Sequence, residues 1–541
     1  MIGPIGLPKR RSGSCAAPSE AMQRRTFLAL LAAAGSMLAG SGCDRIAESI
    51  ESLIDPDDRS PGPAVSWSPR SATIDQAAHL LNRITWGPRP GDRALLATPQ
   101  AVEAFIDAQL EPESIDDRRV ERRVAALESA QVPRAELYEL PPALIAADLA
   151  RERLLRAVMS RRQLSEIMAD FWSDHLNIAI TKGECRWMKL ADDREVVRPH
   201  AMGRFRDLIR ASLTSPAMLI ALDGLDNKVS ADASGAAESG FDPARQEERP
   251  NENHARELLE LHTLGVDGGF DQRDVMEVAR ALSGWTFTHR WRRFFTARVA
   301  FDPARHDGGA KVVLGTVIPA GGGAEDVERL LDILCSHPST ARHIARRLCR
   351  VFIADPPPAA AVDAVADAFI ANDGRIRPVL RALFATPAFR EDPAVRGRLL
   401  KRPLRCVVSA LRALEARTDC GAGLLGHLRR MGHEPFQHST PEGYPLEAPP
   451  WLGTLLWRWN FAADLVRGAI PGTSIDRAAL GRRFDFGTDP AAQERLIAHL
   501  LGRRPDADEM EHIGIPAAGA ADSVDPIALV TALASPAFQW H

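Results

Sequence analysis

The residues best suited to chemistry in this 541-residue chain lie in one block, Asn251–Gly269. Glu252 and Glu260 each stand four residues from Arg256, a spacing at which helical side chains form ion pairs. Glu257 has no such partner, so it is the better candidate for a carboxylate that acts at a site. The block therefore offers one free acid on a segment that also carries histidines.

A first possible site is rich in oxygen atoms. Asp223 and Asn227 precede the block and could approach the start of its helix, near Asn253 and Glu257. Carboxylate and amide oxygens are the ligands that Ca²⁺ and Mg²⁺ prefer. The four residues therefore predict a divalent-cation site. The alternative is that they cap helices and form buried polar networks without chemistry.

A second possible site is built from histidines. His175 and His262 follow apolar residues at helical spacing, where a histidine usually packs in a core, whereas His306 and Asp307 occupy a predicted surface turn. Together, His175, His262 and His306 could bind zinc or iron. With Glu257 or Asp307 added, metal-assisted hydrolysis is the chemistry to expect. Our candidate catalytic residues are therefore Glu257, His262, His306 and Asp307, with core packing as the alternative.

The block itself predicts a helix. Asn251 is a suitable N-cap, and Gly265 can take the left-handed conformation that ends a helix. A regular helix between them would place Leu258, Leu261 and His262 on one broad, mostly apolar side. We expect that side to face the core.

The elements around the block are mostly helical. Apolar residues recur at spacings of three and four over 151–180, 324–389, 399–414 and 452–466, and the first of these predicts one helix or two in succession. Segment 284–318 instead holds β-type residues on both sides of an Asp-Gly-Gly turn, which predicts a small inserted hairpin. The expected fold class is mainly α, multi-helical with a small inserted β-hairpin region.

One short pattern occurs three times, at 213–218, 384–389 and 533–538. Each copy has an apolar residue, a Ser or Thr before Pro, then Ala and a second large apolar residue. Because proline disfavours the helical conformation in the residue before it, each copy predicts a helix end followed by an apolar anchor.

The N-terminus resembles an export signal. Arg24 and Arg25 precede Thr-Phe-Leu and an apolar run over 29–39, which is similar to a twin-arginine signal. The run is too short to span a bilayer. Small residues then lead to Cys43, a candidate for lipidation, with ordinary cleavage near the same point as the alternative. The expected location is the periplasm, with a lipid anchor in the membrane.

These features predict a domain organisation. Residues 1–43 are an extension plus signal, and 44–73 form a flexible tether. A main helical domain covers 74–470, with a mobile insertion over 226–250, and a C-terminal helical segment over 471–541 packs on it.

Composition excludes several classes of protein. The net charge of −4 gives no reason to expect a nucleic-acid partner. The seven cysteines include no C-x-x-C pair, so a thiolate zinc site or attached haem is not supported. The cysteines of the mature body fit small buried hydrophobes best, although pairs 335/349 and 406/420 could form disulfides. Nucleotide-binding loops and the G-x-S-x-G elbow are also missing from the sequence.

Several motifs in order resemble the bacterial family called "domain of unknown function 1800". They are Phe171–His175, the block Asn251–Gly269, Asp274–Val275, Ala281–Thr286, His306–Asp307 with Lys311, His337–Arg342, Lys401–Pro403 and Ser535–Phe538. Two positions, His433 and Tyr444, differ from the residues that this family pattern leads us to expect. The resemblance implies export, commonly beside an exported companion of the "domain of unknown function 1501" family.

Two functions are therefore open. The first is an exported cell-envelope protein that acts with its companion as a scaffold or partner. The second is a metal-dependent hydrolase that uses the residues above with a divalent metal as cofactor. The sequence leaves the reaction and the substrate undetermined.

Overall fold

Helices make up most of the structure, a computed structural model that describes residues 74–228, 250–287, 298–486, 491–514 and 524–541. The predicted mainly α fold with small β additions is confirmed. The signal with Arg24, Arg25 and Cys43, the tether and most of the predicted insertion lie outside the described residues.

The helices of the first half surround the predicted site residues. They are α1 Gln76–Ile84, α2 Pro99–Leu110, α3 Arg118–Ala125, α4 Pro142–Met159, α5 Gln163–His175, α6 Cys185–Asp192, α7 Arg198–His200, α8 Phe205–Leu213, α9 Pro216–Ala221, α10 Glu252–Glu257 and α11 Gln272–Ala281. Segments Asp193–Val197 and Leu258–His262 are π-helical turns. The alternative of two successive helices over 151–180 is the one observed, as α4 and α5.

The helices of the second half complete the body. They are α12 Glu325–Ser336, α13 Pro338–Phe352, α14 Ala359–Ala371, α15 Ile376–Ala385, α16 Pro387–Arg390, α17 Pro403–Ala413, α18 Ala422–Arg430, α19 Pro449–Leu452, α20 Leu455–Arg467, α21 Arg477–Arg483, α22 Ala492–Leu501, α23 Ala507–Ile513, α24 Pro526–Ala534 and α25 Pro536–Gln539. Short 3-10 turns lie at Asp92–Leu96, Pro112–Ser114, Arg134–Glu139, Gly224–Asp226, Pro303–Arg305 and Pro393–Val395.

The strands form three small antiparallel pairs. They are β1 Trp285–Phe287 with β2 Val299–Phe301, β3 Lys311–Val313 with β4 Thr316–Ile318, and β5 Arg417–Thr418 with β6 Thr473–Ser474. The predicted hairpin region thus contains two hairpins, and Asp307–Gly309 connects them instead of forming a hairpin turn. The turn of the second pair is Leu314-Gly315, where both residues have positive φ.

The threefold pattern ends helices as predicted, and a new helix begins at each proline, which was not predicted from the sequence. Each Ser or Thr before proline accepts a hydrogen bond from the backbone amide three residues later, and each proline occupies the first turn of the new helix. The apolar anchors are buried; they are Met218, Phe389 and Phe538.

The core is one large cluster of buried apolar side chains, beside a small second cluster of Leu400, Tyr444 and Trp451. Helix α13 shows why the sequence folds this way. His337 and Pro338 start the helix, and Ile344, Leu348 and Phe352 repeat at four-residue spacing on its buried side. Helix α13 packs on α14, and α14 packs on α15, so successive helices cover each other's apolar faces.

The structure also bears on two sequence-based questions, membrane-spanning helices and disulfide bonds. Among the described residues, no helix combines the length and apolar character needed to cross a membrane. The five described cysteines are free thiols, four of them buried, so the alternative of disulfides at 335/349 and 406/420 is not observed.

Candidate functional site

The helix of the central block starts and ends where the sequence predicts, but it is not regular. Asn251 caps the start by accepting a 2.9 Å hydrogen bond from the Asn253 amide, and Gly265 has a φ of +83°. The π-turn at Leu258–His262 adds a residue to the last turn. As a result Leu258, Leu259 and His262 are buried while Leu261 is half-buried, which corrects the face expected of a regular helix.

The two predicted ion pairs of Arg256, with Glu252 and with Glu260, both form. Arg256 contacts Glu252 at 3.1 Å and Glu260 at 3.2 Å. Glu257 has no hydrogen bond or ion pair to any described residue. Its pKa is raised, first by burial and then by the charges of Glu260 and Glu442.

The structure brings three of the four predicted oxygen ligands together around the helix start. The Asn253 side-chain amide donates to the Asp223 carboxylate and to Leu222 O, both at 3.3 Å. Asn227 accepts from the Asn251 amide at 3.1 Å and donates to Ala279 O at 2.8 Å. Each polar group thus has a partner that holds backbone in place, as in the capping alternative.

The same contacts work against a cation at this position. Lys182 lies 3.0 Å from the Asp223 carboxylate, so an ammonium group already neutralises the one acid of the set. The Asn253 amide presents its NH₂ group to that carboxylate and thereby adds a donor where a cation needs acceptors. Glu257 forms no hydrogen bond or ion pair with these side chains.

The structure also brings two of the three predicted histidine ligands together. The ring centroids of His175 and His262 are 6.0 Å apart, and His343, which the sequence did not suggest, is 6.0 Å from His175. His175 Nε2 donates to His262 O, and His343 Nε2 donates to Leu261 O, both at 3.0 Å. The π-turn thus supplies the carbonyls that orient both rings.

These histidines are neutral in the fold. Burial lowers the pKa of His262 to about 3 and that of His343 to about 4, and it lowers that of His175 well below its ordinary value. Arg347 lowers all three pKa values further because its positive charge opposes an imidazolium. Three of the buried ring nitrogens without a hydrogen-bond partner lie on or beside the central block: His175 Nδ1, His254 Nε2 and His262 Nε2.

His306 lies elsewhere, in a buried polar centre, and the prediction of a surface turn is wrong. Its side chain is only 3% exposed, and its Nε2 is 3.2 Å from Asp326 Oδ2. Lys311 reaches the same oxygen at 2.7 Å, and neither Lys311 nor Asp326 is exposed at all. The edge of Phe301 covers the ring. A buried carboxylate that needs donors is the packing reason for this imidazole.

Ser283, His306 and Asp326 are spaced like a nucleophile, a base and an acid. Ser283 Oγ lies 3.3 Å from His306 Nδ1, and Asp326 lies on the other side of the ring. However, His306 Nδ1 is closer to Ser283 O, at 2.9 Å, and Ser283 Oγ donates to Arg280 O at 2.6 Å. Because Nδ1 faces the Ser283 carbonyl and the serine hydroxyl already donates its proton to Arg280 O, the pair is not arranged as a nucleophile and its base. The arrangement stabilises the end of α11.

Asp307 forms a bidentate salt bridge with Arg280 next to this centre. Arg280 contacts its two carboxylate oxygens at 2.8 and 3.0 Å. Burial raises the pKa of Asp307, but the hydrogen bonds from Arg280 and Gly309 outweigh it and hold the pKa below its ordinary value. Asp307 is therefore a structural anion.

Among the described ranges, no group of three or more His, Cys, Asp or Glu is arranged to hold a metal ion. His175 and His262 are neighbours, Asp223, Asn227 and Asn253 share one network, and His306 with Asp307 forms a third centre. A metal at either predicted set stays a prediction.

Sequence reasoning missed a chain of ion pairs that is buried at Arg153 and Asp193 and partly buried at Arg402. Arg402 contacts Asp174 at 2.6 Å and Asp170 at 3.2 Å, and Arg153 joins Asp170 at 3.1 Å to Asp193 at 2.9 Å. Burial and the neighbouring Asp174 raise the pKa of Asp170, despite its two arginines. The sequence held one signal for this network: Asp170 and Asp174 are four residues apart, so both lie on the same side of the helix that carries the Phe171–His175 motif.

Arg402 and its two acids border a small cleft, the Arg347 cleft. Its cavity has a volume of about 50 Å³ and also meets Arg347, Arg405, Trp86 and His433. His433 and Tyr444, the two positions that differ from the family pattern, contact each other there with ring centroids 4.3 Å apart. The cleft collects residues from motifs that are far apart in sequence.

A second missed feature is a surface groove. Two adjoining cavities of about 450 and 610 Å³ share Arg119 and Arg123 as lining residues. We call this surface the arginine groove. The arginines that line it are Arg89, Arg119, Arg122, Arg123, Arg151 and Arg417. Four arginines in α3 were the signal in the sequence.

Comparison with known proteins identifies a family. A family model described as "Protein of unknown function (DUF1800)" matches residues 79–540. No curated protein and no solved structure matches the chain.

Proposed function

This chain belongs to the DUF1800 family, and we propose that it is an exported, lipid-anchored envelope protein that binds an acidic segment of a companion protein. The arginine groove is the observation that carries this proposal. The twin-arginine pair at Arg24 and Arg25 and the lipidation candidate Cys43 support its place in the envelope.

The groove is unusual because its charges are not neutralised within the described chain. Arg123 and Arg151 donate to the backbone carbonyls of Thr418 and Asp419, at 3.2 and 2.8 Å, and form no ion pair there. Arg119 has no hydrogen-bond partner among the described residues. Arg417 is the one groove arginine with an ion pair to a described acid, at 3.9 Å from Asp476, while Arg89 feels the charges of Asp92 and Glu415 without pairing with either.

Charge complementarity then defines the partner. The lining arginines face two acids, Glu415 and Asp419, in a chain whose net charge is −4. Carboxylates of a bound segment would supply the missing partners, and opposite charge speeds association. The concave shape suits an extended peptide.

Other anionic partners fit less well. The lining residues of both cavities contain no aromatic ring on which a base could stack. None of the large apolar side chains that are exposed among the described residues lies in the groove, so nothing there would enter a lipid bilayer. An acidic protein segment is thus favoured over nucleic acid and membrane. The DUF1501-family companion implied by the resemblance is the first partner to test.

The test compares two double charge reversals in the full chain. Arg119→Glu with Arg123→Glu changes the groove, and Arg273→Glu with Arg430→Glu changes two exposed arginines outside it. We expect the first pair to weaken binding of the purified companion at least about tenfold and the second to change it less than about twofold. Binding of the wild-type protein should weaken with added salt.

Three outcomes would overturn the proposal. They are wild-type protein that does not bind the companion, equal losses in both variants, and binding that is independent of salt. A labelled glutamate-rich peptide serves as the second probe, because it reports groove binding without a folded companion.

A metal-dependent hydrolase is the second candidate. The unpartnered nitrogens of His175 and His262 favour it, since a ligating histidine often donates its other N–H to a backbone carbonyl, as His175 does. The cation Arg347 beside both rings works against it. Elemental analysis of protein purified without chelators, beside Glu257→Ala/His262→Ala, decides: stoichiometric metal that the variant loses would favour the hydrolase.

A further inference from the structure

We propose that the Arg347 cleft binds the carboxylate of a small organic acid with an apolar body. This site is separate from the arginine groove and independent of the proposed function. Unpaired donors, an unbalanced charge and apolar walls of the cavity point to this ligand.

The cleft contains two buried donors without an acceptor. Arg347 Nε and Trp86 Nε1 both lie out of contact with solvent and have no hydrogen-bond partner. An unsatisfied buried donor costs free energy, and the cost is larger for a charged group. A ligand that brings acceptor oxygens would satisfy both donors.

The charges of the cleft are also unbalanced. Arg402 holds both acids of the cleft, Asp170 and Asp174, so those acids are already engaged. Arg405 donates only to backbone carbonyls, those of Asn82 and Thr85, at 2.6 and 3.0 Å. With Arg347, three arginines thus share two carboxylates. Asp174 and Glu447 favour the charge of Arg347 from a distance, but Arg347 forms no ion pair with any described acid.

The other polar groups of the cleft do not change this balance. Burial lowers the pKa of His433 and His541 well below the ordinary value, so both rings are neutral. Arg350 is neutralised separately by Asp355 and Glu447, at 2.8 and 3.1 Å. An anion is therefore the ligand that the cleft lacks.

Size and walls narrow the class of anion. A volume of about 50 Å³ admits a small charged head. The planar guanidinium of Arg347 matches the two oxygens of a carboxylate. Most of the remaining wall is apolar: Ile167, Phe171, Val351, Leu399, Leu404 and Leu446. An aliphatic carboxylic acid combines these properties better than inorganic phosphate does.

The test measures ligand binding to the full chain by calorimetry and by thermal unfolding. The probes are isovalerate, the uncharged analogue isovaleramide, and inorganic phosphate at matched ionic strength. We expect isovalerate to bind and to raise the unfolding temperature, and the other two to do neither. Binding by phosphate but not isovalerate would overturn the carboxylate assignment, and no binding by either would overturn the site.

Variants locate the binding. Arg347→Gln should weaken isovalerate binding at least about tenfold, the loss expected for a hydrogen bond to a charged group. Arg346→Gln, which removes the neighbouring exposed arginine, should leave binding unchanged. Trp86→Phe removes the second donor and should weaken binding by a smaller factor, which keeps the test decisive if Arg347→Gln does not fold. Equal effects of the Arg346 and Arg347 variants would contradict the proposal.

One consequence separates ligand binding from a structural role. Without ligand, Arg347→Gln should be as stable as the wild type or more stable, because it removes an unpaired buried charge. A purely structural Arg347 would instead lose stability on substitution and show no response to isovalerate.

Discussion

The guanidinium of Arg402 lies 2.6 Å from the carboxylate of Asp174, which is 228 residues earlier in the chain. The contact joins α5 to the start of α17 and holds the end of the helix that carries His175. The same guanidinium reaches Asp170 at 3.2 Å, so one arginine supports two acids. Its loss would leave both acids without their shared partner.

Arg402→Met should therefore destabilise the protein by at most about 3–5 kcal/mol, the range for a buried ion pair that loses one partner, because these side chains are partly exposed and Asp170 keeps Arg153. Arg381→Met, at an ion pair with Asp107 in which both side chains are more than half exposed, should cost less than about 1 kcal/mol. Urea unfolding of both variants measures the difference. Equal losses would contradict the buried network.

Lys311 and Lys182 offer a second matched comparison. Lys311 and Asp326 are fully buried, whereas the Lys182–Asp223 pair is about half exposed. Lys311→Met should cost about 3–5 kcal/mol because it leaves the Asp326 charge without its closest donor. Lys182→Met should cost less than about 1 kcal/mol. A mild effect of Lys311→Met in thermal or urea unfolding would contradict a strong buried ion pair between Lys311 and Asp326.

Buried histidines should make stability depend on pH. His254, His343 and His499 have a pKa of about 4 in the fold, and burial is the main cause in each. In the unfolded chain they titrate near 6.5 and bind protons that the folded chain does not bind. Stability is therefore full above about pH 6.5 and falls as the pH drops toward 4.

The pH effect has its own control. His343→Phe should reduce the slope of stability against pH by up to about 1.4 kcal/mol per pH unit between 6.5 and 4. Leu264→Ala should lower stability through a core cavity and leave the slope unchanged. Urea midpoints over this pH range give both slopes. A slope in His343→Phe that equals the wild type would contradict a neutral His343.

The described cysteines should be present as unreactive thiols. Burial raises the pKa of Cys185, Cys335, Cys349 and Cys420 to about 12, which leaves almost no reactive thiolate at neutral pH. Alkylation followed by mass spectrometry should label the four buried cysteines, Cys185, Cys349, Cys406 and Cys420, only after unfolding, without a reductant. Labelling that requires a reductant would show disulfides instead.

Export is testable through the first residues. Arg24→Lys with Arg25→Lys should retain the protein in the cytoplasm, because the paired arginines are the part that the export receptor recognises. Cys43→Ser should leave export intact and release the protein from the membrane fraction. Fractionation of cells with both variants and the wild type checks the two steps separately. Cys43→Ser protein that stays in the membrane fraction would exclude a lipid anchor at this residue.

Local features of the fold were predictable from the sequence. The N-cap at Asn251, the helix end near Gly265 and the ion pairs of Arg256 all depend on residues within a few positions of each other. The helix ends before Pro216, Pro387 and Pro536 follow from the geometry of proline itself.

The π-turn and the burial of His306 were not predictable in this way. A π-turn contains one residue more than a regular helical turn. Its role, which is to offer carbonyl oxygens to the rings of His175 and His343, is visible only in the tertiary structure. His306 looked exposed because its neighbours are turn residues. Its partner Asp326 belongs to α12, and no periodicity connects the two.

The sequence by itself determined the family, the helical fold class and the candidate residues, because these depend on composition, periodicity and motif order. The tertiary structure alone decided which candidates meet. It separated His306 from His175, and it assembled the Arg347 cleft from α5, α13 and α17. The physical reason is that buried charges must find partners across the whole chain, and those pairings depend on how helices pack.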